Sequence, residues 1–190
     1  MKYNEEDNDD YLLENNLLGI QSQKELEKAE SLGFSLRASE LEQENYKSLS
    51  LTLSGFKNLH YYLFQDIYPF AGEFRNVQLS KNGTRFCQVE HLNNYADNLF
   101  FELDKEPFWS SLKEAAERLA YFKSELNMLH PFREGNGRTI RFFIYLYALE
   151  KGITWKYEEM ETESYIEAMI EAVINTKMLK NIFLETIEYT

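Results

Sequence analysis

From Ser111 onward the chain repeats apolar residues at helical spacing: Leu112, Ala116, Leu119 and Leu126 share one face, interrupted only by Lys123. A helix with such a stripe must bury it against neighbouring elements, which points to helices layered on helices. Ser111 and Glu114 form the capping-box pattern at its head. Continued by one turn, the same face reaches His130, so the helix delivers a histidine from its buried side at its C-terminal end.

Further helical signals fill most of the chain. Ser22 with Glu25 is a second capping box, heading a segment that runs to about Tyr46. A helix is predicted over Ser54–Phe64, stopping near Pro69, because proline disfavours the α conformation just before it. Others are predicted from Val89 to Leu103, from Asn136 to just before Gly152, from about Thr162, and over Lys177–Ile187. Between Gly72 and Val89 the period changes, and Val77, Leu79 and Phe86 flank Lys81-Asn82-Gly83-Thr84. That pattern predicts a β-hairpin over about residues 76–88, the only strand pair expected. The fold class expected is therefore all-α: a bundle of about seven or eight helices with one inserted hairpin.

Only eight glycines and three prolines occur in 190 residues, and no linker-like tract divides them, so residues 1–190 read as one domain. The acidic run from Glu5 to Asp10 reads as a solvated terminus. A net charge of −12 argues against a direct nucleic-acid partner, since phosphate backbones attract clustered cations. The longest apolar run, Phe142 to Leu149, falls far short of the roughly 20 residues that cross a bilayer. No membrane partner is expected. A lone Cys87 and no leader pattern at the start predict a reducing cytoplasm.

The densest cluster of reactive groups is His130-Pro131-Phe132-Arg133-Glu134-Gly135-Asn136-Gly137-Arg138, followed by Arg141. Gly135 and Gly137 permit positive φ and close backbone approach, so successive N–H groups can cradle an anion beside the positive end of the next helix. Arg138 and Arg141, three apart on one face, add two guanidinium groups, which suits a polyphosphate. Glu134 offers one hard oxygen to Mg2+, which takes one or two carboxylates and completes its octahedron with phosphate and water. His130 is the group suited to accept a proton near neutral pH. Pro131 ends the preceding helix and Phe132 can pin the loop into the core. Asn136 reads equally as part of the cradle or as the N-cap of the next helix. His60 and His91, in helical segments away from this loop, are expected to be packed or exposed side chains and not ligands.

His130 to Arg141, HPFREGNGRTIR, resembles the signature loop of the Fic family, HxFx(D/E)GNGRxxR, at every specified position. Tyr61–Arg75 and Leu79–Phe86 are similar to that family's helix-and-flap region, and with the surrounding helices the resemblance covers about residues 12–185. It implies the Fic fold and transfer of AMP from ATP to a Ser, Thr or Tyr hydroxyl of a target protein, releasing pyrophosphate. His130 would be the base, Glu134 would hold Mg2+ and Gly135, Asn136 and Gly137 would form the anion cradle. Arg138 and Arg141 would grip the β and γ groups.

The hairpin residues Ser80, Lys81, Asn82, Gly83, Thr84 and Phe86 resemble the flap that docks the target as an added strand. Lys81 alone would also pass as a solubilising edge charge. A glycine at 137, where the phosphorylating Doc branch carries a lysine in a modified loop, favours AMP transfer. Kinase-like phosphoryl transfer, transfer of another phosphate-containing group, and a nucleotide-binding module without turnover are the alternatives. The inhibitory helix of many relatives, (S/T)xxxE(G/N), has no complete copy in the chain. This, with the start DYLLENNLLGI and ELEKAESL, resembles the bacterial toxin branch held by a separate small antitoxin. By that resemblance the targets include DNA topoisomerase subunits, and delivery into another cell stays open.

Overall fold

The computed structural model describes residues 5–43, 49–81 and 84–190. Eight α-helices follow one another among these: α1 (Glu5–Glu14), α2 (Gln23–Gln43), α3 (Leu53–Phe64), α4 (Leu92–Lys105), α5 (Leu112–Leu129), α6 (Asn136–Glu150), α7 (Thr162–Glu171) and α8 (Lys177–Thr186). A hairpin, β1 (Ser80–Lys81) and β2 (Thr84–Arg85), separates α3 from α4. The helix count and the inserted hairpin agree with the sequence reading.

Caps account for the helix starts. Thr52 opens α3 by accepting the Gly55 N–H at 3.1 Å, and Ser111 opens α5 by accepting that of Glu114 at 3.2 Å. The Glu114 carboxylate does not close the expected box on Ser111; it takes the Ser110 N–H and hydroxyl instead, at 2.7 and 2.6 Å. At α2, the Ser22 carbonyl accepts from Glu25 and Leu26. The predicted end of that helix, near Tyr46, lies outside the described residues.

Helix α5 is packed by α4, α6 and α8, which cover its apolar stripe; Ala116, Leu119 and Leu126 are fully buried. Next to it Phe56 of α3 meets Phe100, Phe132 and Phe143 at ring distances of 5.4, 5.2 and 5.1 Å. Phe132 belongs to the loop between α5 and α6, so the core itself holds that loop in place. Burying a phenylalanine contributes about 1.5–3 kcal/mol.

The acidic run lies in α1, where Asp9 and Asp10 are exposed as expected while Leu12 is buried in the core. One expectation is corrected: a second strand pair exists, β3 (Ile153–Trp155) running antiparallel to β4 (Ile187–Tyr189), with Trp155 opposite Ile187. Trp155 is buried against Phe183 at 4.8 Å and donates its indole N–H to Thr186. This pair ties the chain's end to the exit of α6. Among the described residues no helix is long and apolar enough to cross a membrane.

Candidate active site

His130 terminates α5 in the left-handed region, with φ 43° and ψ 57°. An L-residue there costs about 1–2 kcal/mol, so the surroundings must hold it. Arg75 does so. Its Nε donates to the His130 carbonyl at 2.7 Å, while its other nitrogens donate to Val77 and Cys87 carbonyls at 2.6 Å each. One buried guanidinium thus joins both sides of the hairpin to the end of α5. Burial lowers the Arg75 pKa to about 10, which still leaves it charged at neutral pH.

Within the hairpin, Ser80 pairs with Arg85 and Lys81 with Thr84. The Asn82-Gly83 turn lies outside the described residues. Past β2, the Phe86 ring stacks on the His130 imidazole at 3.7 Å, nearly parallel. The histidine's Nδ1 lies 3.1 Å from the Asn127 carbonyl, which can only accept, so Nδ1 carries the proton and Nε2 keeps its lone pair. Burial pushes the His130 pKa down to about 3, with Arg75 and Lys81 adding to it against the Asn127 carbonyl. The imidazole is neutral wherever the protein is folded near pH 7.

The loop is braced from inside. The Asn136 amide accepts the Phe132 N–H at 2.9 Å and donates to the Phe132 carbonyl at 2.7 Å. This corrects its reading as an N-cap: Gly135 is the cap residue, and the Asn136 side chain closes the turn. Gly135 sits at φ +74°, where a Cβ would lie 2.5 Å from the Phe64 ring. Gly137 has no positive φ, contrary to expectation; it lies in the first turn of α6, and a Cβ there would meet nothing within 4 Å. Its role in the backbone is an open face.

His60 is also corrected. It does not stand away from the loop: Nδ1 accepts the Gly72 N–H at 2.8 Å, which fixes Nε2 as the donor to the Glu134 carbonyl at 2.9 Å. Its ring stacks on Phe132 at 3.8 Å, and burial lowers its pKa to about 4, so it is a neutral strut. His91 lies in a single 3-10 turn ahead of α4, away from the loop as expected.

Charge in the loop is divided unevenly. Glu134 Oε1 accepts the Gly135 N–H at 2.8 Å and lies 3.5 Å from Arg138 Nη2. Arg138 donates to Glu30 on α2 at 2.5 Å and rests 4.9 Å over the Phe64 ring. Glu30 is buried, and burial together with the nearby Glu134 charge raises its pKa to about 7 against the pull of Arg138. The sequence reading missed Glu30; the available signal was a carboxylate one turn after Leu26 on the buried face of α2. Arg141, by contrast, has no ion pair or hydrogen bond among the described residues.

These groups face one cavity of about 810 Å3, a size suited to a small ligand. His130, Glu134, Gly137, Arg138 and Arg141 line it, as do Ser80, Lys81, Thr84 and Phe86 of the hairpin. Helix α7 adds Tyr165 and Met169, and Val173 follows just past its end. Among the described residues no group of three metal-ligating side chains exists. Asp9, Glu27 and Glu30 also line the cavity, and Glu134, the carboxylate of the loop itself, fits a divalent cation that takes its remaining ligands from phosphate and water.

The bundle sets a neutral imidazole beside a glycine loop, a helix N-terminus and two arginines, groups whose chemistry suits a phosphate. The Fic/DOC family model matches residues 50–148, and the chain belongs to that family. It is 36% identical over 159 residues to protein adenylyltransferase VbhT of Bartonella schoenbuchensis, covering 83% of this chain and 33% of that one. It is 32% identical to y4lH of Sinorhizobium fredii, named a probable protein adenylyltransferase, over 83% of this chain and 81% of that protein. The match thus spans about a third of VbhT and most of y4lH. Among solved structures, the N-terminal Fic domain of a VirB-translocated Bep effector protein from Bartonella quintana, with bound ADP, superposes with a TM-score of 0.82. Identity there is 20%, over 92% of this chain and 90% of that chain. BepC of Bartonella tribocorum with bound AMPPNP gives a TM-score of 0.79 at 20% identity, over 92% of each chain. These likenesses establish the fold.

Proposed function

We propose that the protein is an adenylyltransferase that moves AMP from ATP to a Ser, Thr or Tyr hydroxyl of a target protein. The observation that carries this reading is the His130 imidazole: neutral, with Nδ1 held by Asn127 and Nε2 free, in one cavity with the glycine loop and Arg141. The target hydroxyl oxygen attacks the α-phosphorus while its proton passes to His130 Nε2. The bond from that phosphorus to the bridging oxygen breaks, and pyrophosphate leaves. Backbone N–H groups at Gly135–Gly137 and the N-terminus of α6 face the phosphates, and Arg138 and Arg141 bear the charge. For this the Glu134 carboxylate gives up the Gly135 N–H that it holds in the free protein. Glu134 would hold Mg2+, which supplies charge neutralisation on the phosphates when bound.

The hairpin's role follows from its edges. The described strands pair only with each other, so an extended target segment can add to the hairpin beside His130. Control by a separate antitoxin rests on two observations. Arg141 lacks a carboxylate partner among the described residues, and α7 exposes Ile166 and Ile170 at the cavity. A helix that brings one carboxylate to Arg141 satisfies both. The cytoplasm of a bacterium is the proposed site of action, and DNA topoisomerase subunits are the first targets to test.

The test is incubation with Mg2+ and ATP labelled at the α or the γ phosphate, a lysate as target pool, and His130→Ala as control. Label on protein from α-labelled ATP only, lost in the variant, is the expected result. Label from γ-labelled ATP overturns the reading in favour of phosphoryl transfer.

A further inference from the structure

The apolar stripe of α5 contains one misfit. Lys123 is 1% exposed, and among the described residues its ammonium makes no hydrogen bond or ion pair. The nitrogen lies 5.4 Å from the ring centres of Trp155 on β3 and Tyr165 on α7. A buried ammonium with no counter-charge is costly, and chains rarely keep one without a use. Lys123 lines the same cavity as Gly137 and Arg141.

The two arginines of α6 at the cavity wall show where an anion is missing. Arg138 is already answered by Glu30 and Glu134. Arg141, one turn further along α6, and Lys123 are answered by nothing among the described residues. A nucleotide whose reacting phosphate lies at the glycine loop beside His130 extends its remaining phosphates along α6. Resting on the adenylyl-transfer reading, we infer that Lys123 is a binding residue for the terminal phosphate of the nucleotide, completing a two-cation grip with Arg141. The lysine acts as a point charge with three donors, where the arginine offers a planar fork.

A proton accompanies this grip. Burial, with Arg141 adding to it, brings the Lys123 pKa down to about 7. The charged group acting on it is Arg141 from α6; α7 faces it with the ring of Tyr165, whose phenol pKa burial raises to about 12, and β3 with the Trp155 ring. None is an anion near neutral pH. A phosphate dianion favours the ammonium form, so ATP binding above pH 7 takes up a proton and weakens as pH rises further.

Calorimetry on the full chain with Mg-ATP and Mg-AMP, in Hepes and in Tris at pH 8, tests this. The wild type binds ATP more tightly than AMP and takes up protons with ATP but not with AMP. Lys123→Met, which fills the aromatic box with an uncharged chain of similar shape, cuts the ATP-to-AMP affinity ratio roughly tenfold and leaves AMP affinity unchanged. The wild-type proton count needs no substitution, so it reads Lys123 even where the variant folds poorly. An unchanged ratio in a folded variant, or ATP binding by the wild type without proton uptake, overturns the role of Lys123 alone. A wild type that does not prefer ATP overturns the adenylyl-transfer reading as well.

Discussion

At one end of the cavity His130, Glu134 and Arg138 are each held by protein partners: Asn127 and Phe86, the Gly135 N–H, and Glu30. At the other end Arg141 and Lys123 face the same space with no carboxylate among the described residues. The first end is largely arranged in advance, although Glu134 must exchange the Gly135 N–H for its ligand before chemistry begins. The second stores charge left for a bound nucleotide or a partner's carboxylate to answer. A site needs both, because groups already satisfied give geometry and groups left unsatisfied give affinity.

Breaking the arranged end should have the largest effect. Gly135→Ala forces a Cβ to 2.5 Å from the Phe64 ring at a φ of +74°, and should cost about 2–4 kcal/mol of stability in urea denaturation, with loss of transfer. Gly137→Ala, with nothing within 4 Å of its Cβ, sharpens the contrast. It should stabilise α6 by about 0.5–1 kcal/mol while weakening nucleotide binding, measured on the same melt and by titration with ATP.

Removing Arg75 comes next. Arg75→Met unties three carbonyls that the guanidinium now satisfies and should cost about 2–3 kcal/mol. Transfer rate should fall well beyond ATP affinity, because His130 and the hairpin lose their common anchor. Single-turnover kinetics beside equilibrium binding will separate the two.

A smaller change is a shift of pH profile. The His130 pKa stands near 3, so protonation of this base should impose no acid limb on transfer between pH 8 and 5. Phe86→Ala removes the covering ring, lets the pKa climb towards its ordinary value, and should give the rate an acid limb as pH falls through the region of pH 6. A rate profile unchanged in the variant would show that the stack does not set the base.

Glu30→Gln should have the least effect. A carboxyl whose pKa is raised from 4.5 to about 7 binds more protons folded than unfolded. Its contribution is complete below pH 4.5 and is lost as pH rises through about 7. The amide has no such loss, so the Tm of the variant relative to the wild type should rise between pH 5 and pH 8, by roughly a few degrees.

What was readable in the sequence was local. Caps, the α5 stripe and the Asn-Gly hairpin each act within a few residues, and the loop carries its whole chemistry in consecutive positions. What escaped reading is held across long separations. Glu30 meets Arg138 108 positions away, and β3 and β4 become strands only when Ile153 and Tyr189 meet. Asn136 was misread because its amide serves a turn behind it, where the sequence suggested a cap ahead. His60 looked distant along the chain and is adjacent in space.

The left-handed His130 has a final consequence for the life of the chain. Its conformation persists only while Arg75 grips its carbonyl, and Arg75 is in place only when the segments around Val77 and Cys87 have docked on α5. Three stretches of polypeptide must therefore assemble before the imidazole takes its working pose. A half-folded copy carries every residue of the signature loop but lacks the pose of His130, so the activity proposed for this site is armed only by the completion of the chain's own folding.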